Sequence, residues 1–400
     1  MILKRLQSSR PSRKWGPNFR SPVAPLSGLN EKLSLALGLC PVDSGGLNLA
    51  WGTVVALTLG VVASFYAVNV VEPVRIVYCE SAAGNCTFFW SLLIDFLIFT
   101  VAVVLCPAVN FFLRSERETA LKFIHRVDAG LNFTPSLHKI DKVIAFFYVY
   151  LSLLIFSEFA LNTSGDLEGI TAYIVENGLI FLSDVYFLVL EIEFFGIAWS
   201  FQKRFKAINK TVSLLIFPKW NKIPTVFSNA AQETATSRFD RLVDLHWYLS
   251  QGVSSINKVY GFKLGMLLFY LFYRLLIIPH VMTILITTTE DGLSMKVWWF
   301  MYHACQLALL VLPAADSAKN GETLIKTICQ GLGTSTHVVQ DQMLSALTKL
   351  SVHDVDFCAF NIISLDRKLI SSIVGAIATY LIVLTQLRST SISVEEEIDH

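Results

Sequence analysis

The side chains with chemical potential in this chain are polar and aromatic residues set inside long apolar runs: Trp90 and Asp95, Glu158, Tyr173 with Glu176 and Asn177, His280 with Thr283, and Trp298, Trp299, Tyr302 and His303. Helices crossing a bilayer side by side would bring these groups to one level in its outer half. A polar side chain in lipid is costly and turns toward protein or water, and aromatic walls carrying a few polar groups suit a small organic ligand. Trp298 with Tyr302 and Trp299 with His303 are i,i+4 pairs that share a helix face. The plainer reading is that Trp and Tyr near a helix end anchor it at the interface, and that His280, following Pro279, satisfies backbone groups freed by a kink. On that reading fewer than half of these residues touch a ligand.

Asp184, Glu191, Glu193 and Arg274 lie deeper in their segments. Arg274 falls at a depth where Glu191 could pair with it, and a structural ion pair is expected there rather than a role in permeation. No set of histidines and carboxylates has metal-ligand spacing. The seven cysteines show no CxxC pattern, although Cys79 and Cys86 share one short loop. No nucleophile is paired with a base. The chain therefore reads as neither an enzyme nor a metalloprotein, and it calls for no cofactor.

The elements that must position these residues follow from composition. A chain of 400 residues with 54% hydrophobic and 16% charged residues and a mean hydropathy of +0.55 is too apolar for an ordinary soluble protein of its size. The excess must face lipid. Lys and Arg number 32 against 31 Asp and Glu, so nucleic acid is not an expected partner. The first thirty residues are basic and proline-interrupted, unlike a cleavable signal peptide.

A crossing helix needs about 20 mostly apolar residues for a hydrocarbon core of roughly 30 Å. Seven segments qualify: Asn48–Val71, Phe88–Leu113, Val143–Leu161, Ile170–Phe201, Leu264–Thr287, Val297–Ala315 and Leu369–Leu387. Basic residues flanking helices stay on the cytoplasmic side. They gather before the first segment (Lys4, Arg5, Arg10, Arg13, Lys14, Arg20, Lys32), after the second (Arg114, Arg117, Lys122, Arg126, Lys139, Lys142) and after the fourth (Lys203, Arg204, Lys206, Lys210). The connections around Glu72–Thr87, Asn162–Glu168 and Thr288–Lys296 are poor in them and belong outside. Seven crossings then start in the cytoplasm and end outside, the reverse of a G-protein-coupled receptor. Sequons at Asn85 and Asn162 fall in outer loops and those at Asn132 and Asn209 in inner ones, so glycosylation supports this topology only weakly.

The inner connections are long and keep helical periodicity. Phe239, Leu242, Val243, His246, Leu249, Val253 and Ile256 recur at spacings of three and four, as do Val338, Val339, Met343, Leu344, Leu347 and Leu350 within Thr336–Leu350. The fourth and fifth crossings are expected to project as helices beyond the bilayer, with Pro218 and Pro224 marking a flexible loop between Phe217 and Ser228. The chain divides into a cytoplasmic segment 1–47, helices one to four in 48–201, a cytoplasmic helical extension 202–263, helices five and six in 264–315, a second cytoplasmic helical region 316–368, the last helix 369–387 and an acidic outer tail 388–400. The tail holds Glu395, Glu396, Glu397 and Asp399 and reads as solvated and disordered.

In the last helix Thr379 and Tyr380 are followed by five residues and then Gln386-Leu387, after an approach through Asp366, Leu369, Ile370, Val374, Gly375 and Ala376. This pattern resembles the insect gustatory-receptor family, whose hallmark is Thr-Tyr, five mostly apolar residues and Gln-Phe at the end of the seventh helix. That family is related to the odorant receptors and the odorant co-receptor, whose ending the Leu387 departure also resembles. The resemblance implies an all-α membrane protein assembled as a homotetramer, or as a heteromer with related receptors. Its seventh helices would line one central pore for monovalent and divalent cations, in the plasma membrane of sensory neurons, and a small-molecule tastant would open it. Leu381 stands where many sugar-receptor members have Glu, which leans away from the main sugar subgroup and leaves fructose-type and bitter-type ligands open.

At about 100° per residue Thr379, Val383, Gln386 and Leu387 share one stripe, while Tyr380 and Gln386 stand roughly 240° apart. Given the family pattern, Val383 and Leu387 are expected to form apolar constriction rings and Gln386 to offer its carbonyl to passing cations. Tyr380 is expected to pack between subunits with its hydroxyl bonded to a neighbour. Without the resemblance the stripe would read as ordinary helix-packing surface. Two other classes stay in view: a seven-helix receptor signalling through a G protein, which the loop charges and the lack of Asn-Pro-x-x-Tyr in the last helix oppose, and a transporter, which would show paired halves and broken helices.

Overall fold

Apolar runs become helices here, and several helices outrun the bilayer. A computed structural model describes residues 87–131, 138–162, 167–217, 229–288, 293–333, 337–352 and 355–398, with helical positions at Val54, Thr58 and Val61. The expected first crossing Asn48–Val71, the loop Glu72–Thr87 and the loop between Phe217 and Ser228 lie outside the described residues, save for those three positions and the loop edges. Within the described residues the chain forms α1 Thr87–Phe112, α2 Arg114–Leu131, α3 His138–Asn162, α4 Leu167–Ile216, α5 Asn229–Thr288, α6 Leu293–Leu332 and α7 His337–Leu350. A short hairpin of β1 Cys358–Ala359 and β2 Ile363–Ser364 follows, and α8 Arg367–Ile398 ends the fold.

Five of these helices hold a stretch long and apolar enough to cross a membrane: Leu93–Asn110, Lys142–Leu161, Thr236–Thr283, Leu293–Leu332 and Arg367–Gln386. At about 1.5 Å per residue the 60 residues of α5 span roughly 90 Å, three times a hydrocarbon core of about 30 Å. The helix is therefore far longer than one crossing requires. The tail read as disordered is instead helical through Ile398; residues 388–398 contain neither Pro nor Gly to stop the helix.

α4 is not among these five, and Asp184, Glu191 and Glu193 punctuate its apolar run. It is the innermost element, packed by α6, α5, α1 and α3, and Tyr186–Phe194 is buried without a break. A helix buried all round can carry carboxylates that would be prohibitive against lipid. The outward faces are apolar instead: Phe146, Val149, Leu153 and Phe156 on α3 are exposed at spacings of three and four, as a lipid-facing stripe requires.

Polar contacts also tie the bundle together. Arg204 of α4 makes a bidentate pair with Asp128 of α2, Nε to Oδ1 at 2.8 Å and Nη2 to Oδ2 at 2.7 Å. Fully buried Lys263 donates to Asn110, and Tyr260 donates to Glu193. Asn209, one of the sequon asparagines, is buried and donates to the Asn320 carbonyl at 2.5 Å.

The hairpin was not foreseen within 316–368. Its strands pair Cys358 with Ser364 and Ala359 with Ile363. At its tip Phe360 and Asn361 have φ of 52° and 57°, a conformation that costs a bulky residue such as Phe about 1–3 kcal/mol. Asp366 then caps α8, its Oδ1 accepting from the Leu369 amide at 3.0 Å, a cap of about 1 kcal/mol.

Candidate ligand site and candidate pore helix

Four helices deliver charged or polar side chains to one buried point. Asp95 comes from α1, Asp184 from α4, Tyr270 and Arg274 from successive turns of α5, and His303 and Gln306 from successive turns of α6, all of them buried. Arg274 Nη1 lies 3.3 Å from Asp95 Oδ2, and its Nη2 lies 3.9 Å from Asp184 Oδ1. Arg274 Nε donates to the Tyr270 hydroxyl at 3.3 Å, and that hydroxyl donates in turn to Asp184. His303 places Nε2 4.0 Å from Asp184 Oδ1, with Nδ1 2.8 Å from Gln306 Oε1, while Gln306 Nε2 donates to Tyr302 at 3.2 Å.

The pairing of Arg274 with Glu191 is corrected by this geometry. Glu191 and Asp184 are seven residues apart on α4, so they share a face but differ in depth by about 10 Å. Arg274 lies at the depth of Asp184, while both Glu191 carboxylate oxygens are buried without a hydrogen-bond partner among the described residues. Within the Asp95, Arg274 and His303 group, Asp95 Oδ1, Arg274 Nη2 and His303 Nε2 are buried and make no hydrogen bond.

A second group stands near the C-terminal end of α3 and the N-terminal end of α6. Glu158 receives Lys296 Nζ at 3.0 Å on one oxygen and the Trp299 indole N–H at 2.7 Å on the other. Trp299 stacks on His303 at 5.9 Å and meets Tyr302 edge to face at 5.8 Å, which joins the two groups through one aromatic wall. The pair Trp299 and His303 thus shares a face inside the bundle. Trp298 is more than half exposed and Tyr302 fully buried, and only the backbone carbonyl of Trp298 is held, by the Tyr150 hydroxyl at 3.2 Å. Trp90 is also more than half exposed. Asn177 is half-buried on α4; the side chains of Tyr173 and Glu176 lie outside the described residues.

Tyr270 and Gln306 complete a cluster that the sequence reading left without them, having read Asp184 and Arg274 there as deep structural residues. Tyr270 sits one turn before Arg274 and Gln306 three residues after His303, spacings that helix geometry makes neighbours. That proximity was the available signal.

α8 is built differently. Ile373 and Ile377 are its buried residues, packed with the rest of the core, whereas Thr379, Val383 and Gln386 are exposed on other faces. The helix touches α6 and α5. Tyr380 has a neighbour within its own chain, the His280 ring, edge to face at 6.4 Å, and Thr283 donates to the His280 carbonyl at 2.7 Å beyond Pro279. The Leu387 side chain lies outside the described residues. At its N-terminal end α8 is held to α6, where Arg367 Nη2 lies 2.6 Å from Asp316 Oδ1 while Gln202 of α4 donates to the other oxygen at 3.2 Å.

Comparison with known proteins adds four findings. The family model described as 7tm chemosensory receptor matches residues 32–391. The gustatory receptor for sugar taste 43a of Drosophila melanogaster is 23% identical over 171 residues, 42% of this chain, and the match spans only 40% of that relative's length. The solved structure of the insect olfactory receptor OR5 from Machilis hrabei superposes with a TM-score of 0.61 at 14% identity, covering 90% of this chain and 96% of that one. The same receptor in complex with eugenol gives 0.53 at the same identity and coverage. At that identity the likeness is one of fold.

Proposed function

The chain belongs to the 7tm chemosensory receptor family, and from that premise we propose that it is a cation channel opened by a small-molecule tastant, with α8 of each of four subunits lining a shared axial pore. In this reading the chain crosses the plasma membrane of a sensory neuron seven times. It begins in the cytoplasm with residues 1–47 and ends outside with α8.

The observation that carries it is the state of α8. Only 11% of its apolar stretch is buried, against 50% for α6 and 56% for α5, and the exposed part includes Thr379, Thr385 and Gln386. Thr379 and Thr385 bond back to the Gly375 and Leu381 carbonyls, and a helix this little covered by its own chain leaves a face for further protein or water. A closed ring of such helices supplies both, with the stripe of Thr379, Val383, Gln386 and Leu387 turned to the axis. The carbonyl of Gln386 can replace part of an ion's hydration, and Val383 and Leu387 can close the path by dewetting.

The buried cluster of Asp95, Asp184, Arg274 and His303 beside Trp299 supports a ligand that combines hydroxyl groups with an apolar face, because donors and acceptors converge there on an aromatic wall. A relative named for sugar taste and a fold neighbour solved with eugenol, a phenol, lie within the same description. Binding opens the pore only to the extent that the ligand prefers the open state.

The test is reconstitution of the purified protein into planar bilayers without any G protein, with D-fructose, eugenol and quinine applied in turn. Ligand-evoked unitary cation currents are expected from at least one of them. Solute uptake without unitary conductance would replace the channel by a transporter, and silence in bilayers with responses only in cells containing G proteins would replace it by a coupled receptor.

A further inference from the structure

The segment between α7 and α8 is fastened to α5 at consecutive turns. Asn257 brackets β1, its Nδ2 donating to the Asp356 carbonyl at 2.7 Å and its Oδ1 accepting the Cys358 amide at 3.1 Å. One turn on, the Phe360 amide donates to the Gly261 carbonyl at 2.7 Å. A further turn on, the Phe360 ring lies over Gly265 so closely that a Cβ there would overlap it, and Phe262 meets the ring edge to face at 5.8 Å. Gly261 and Gly265 form a G-x-x-x-G pair, the spacing that elsewhere lets two helices approach. Here a hairpin tip fills the groove.

The tip is held in a backbone conformation that a Phe seldom adopts, and its contacts with Gly261 and Gly265 offset that strain. From the far side of this contact the chain runs directly into Leu365, buried and bonded to the Phe357 carbonyl, and then into α8. The N-terminal end of α8 thus has its backbone position set by α5, the helix that carries Arg274 and His280. We infer that Phe360 is a positioning residue: its seat on Gly261 and Gly265 fixes the N-terminal end of α8 relative to α5. The functional meaning of the inference rests on the pore reading of α8; the positioning itself does not.

Hydrogen–deuterium exchange on the purified full chain tests it without ligand or current. Phe360→Ala is expected to speed exchange of the amides at 366–374 at least tenfold and to leave α3 unchanged. Gly265→Ala is expected to do the same by displacing the ring. The pair Gly265→Ala with Phe360→Ala should exchange no faster than Phe360→Ala alone, since the methyl then fills the space the ring left. Phe360→Leu, which keeps an apolar cap on the glycines, should stay within threefold of the parent. Unchanged exchange at 366–374 in either single variant, an additive double variant, or faster exchange spread equally to α3 overturns the inference. If Phe360→Ala yields no folded protein, Gly265→Ala and Phe360→Leu carry the same decision. Parallel bilayer recordings separate the two readings: altered exchange with no current in the parent leaves the positioning intact and removes the channel, whereas ligand-gated current in the parent with unaltered exchange does the reverse.

Discussion

Arg274 of α5 and Asp95 of α1 meet at 3.3 Å inside the apolar bundle, with Asp184 of α4 on the other side of the guanidinium. Three helices distant in sequence are thereby tied at one depth. Removing one member leaves the others charged and buried, which costs about 3–5 kcal/mol. Arg274→Met should therefore collapse the yield of folded protein measured by fluorescence-detected size exclusion. Replacing Asp95 and Arg274 together by Leu and Met should recover more yield than Arg274→Met alone, with ligand response still lost.

Glu158 holds Trp299 and Lys296 through different oxygens, and the two bonds have unequal worth. Lys296 is about one-third exposed, so its pairing contributes about 0–1 kcal/mol. Glu158→Gln keeps an acceptor for the indole and should shift the half-maximal ligand concentration less than about fivefold. Trp299→Ala removes the aromatic wall shared with His303 and Tyr302 and should shift it by about tenfold to a hundredfold. Concentration–response curves at matched surface expression decide between these outcomes.

Gln386 is exposed on α8 in the company of Thr379 and Val383. With four copies around an axis, Gln386→Lys would place a ring of ammonium groups where cations pass. Reversal potentials under a salt gradient should move toward the anion value or conductance should vanish, while ligand affinity measured by thermal shift stays unchanged.

His125 lies beside the Asp128 and Arg204 pair. Burial first, and then the Arg204 charge, lower its pKa below the ordinary value against the opposing pull of Asp128. In the unfolded chain the imidazole takes its proton near pH ~6.5, so below that pH the unfolded state binds more protons. Stability should be flat above that point and fall as pH drops toward the depressed folded value. The measurement is the thermal midpoint of the purified protein from pH 7.5 to 5, and His125→Gln should flatten the slope.

The helices were legible because apolar runs and three-to-four spacing report local geometry: Phe239, Leu242, Val243, His246, Leu249, Val253 and Ile256 of α5 are all buried as their spacing predicts, whereas on α7 Met343 and Leu350 are buried and Leu344 is exposed. Two things were not. The partner of Arg274 was misread because Asp184 and Glu191 lie two turns apart on one face of α4, so periodicity cannot separate them and only depth can. The hairpin was hidden because its tip lacks the Asn-Gly or Asp-Gly signature of tight turns: Phe360 occupies a position that residue type argues against, and α5 supplies the contacts that hold it there. The aromatic residues divided for a related reason, since Trp298 and Trp299 are adjacent in sequence yet point to different surroundings.

The acids of α4 have a consequence for how this protein is made. Asp184, Glu191 and Glu193 leave the ribosome roughly 80–90 residues ahead of Arg274, and no helix so charged settles stably in lipid alone. During synthesis Glu193 can meet Arg117 of α2, already made, whereas Asp184 waits for Arg274 of α5 and for α6 to close over it. Biogenesis of the middle of this chain is therefore a concerted event, and its success depends on synthesis reaching residues far downstream.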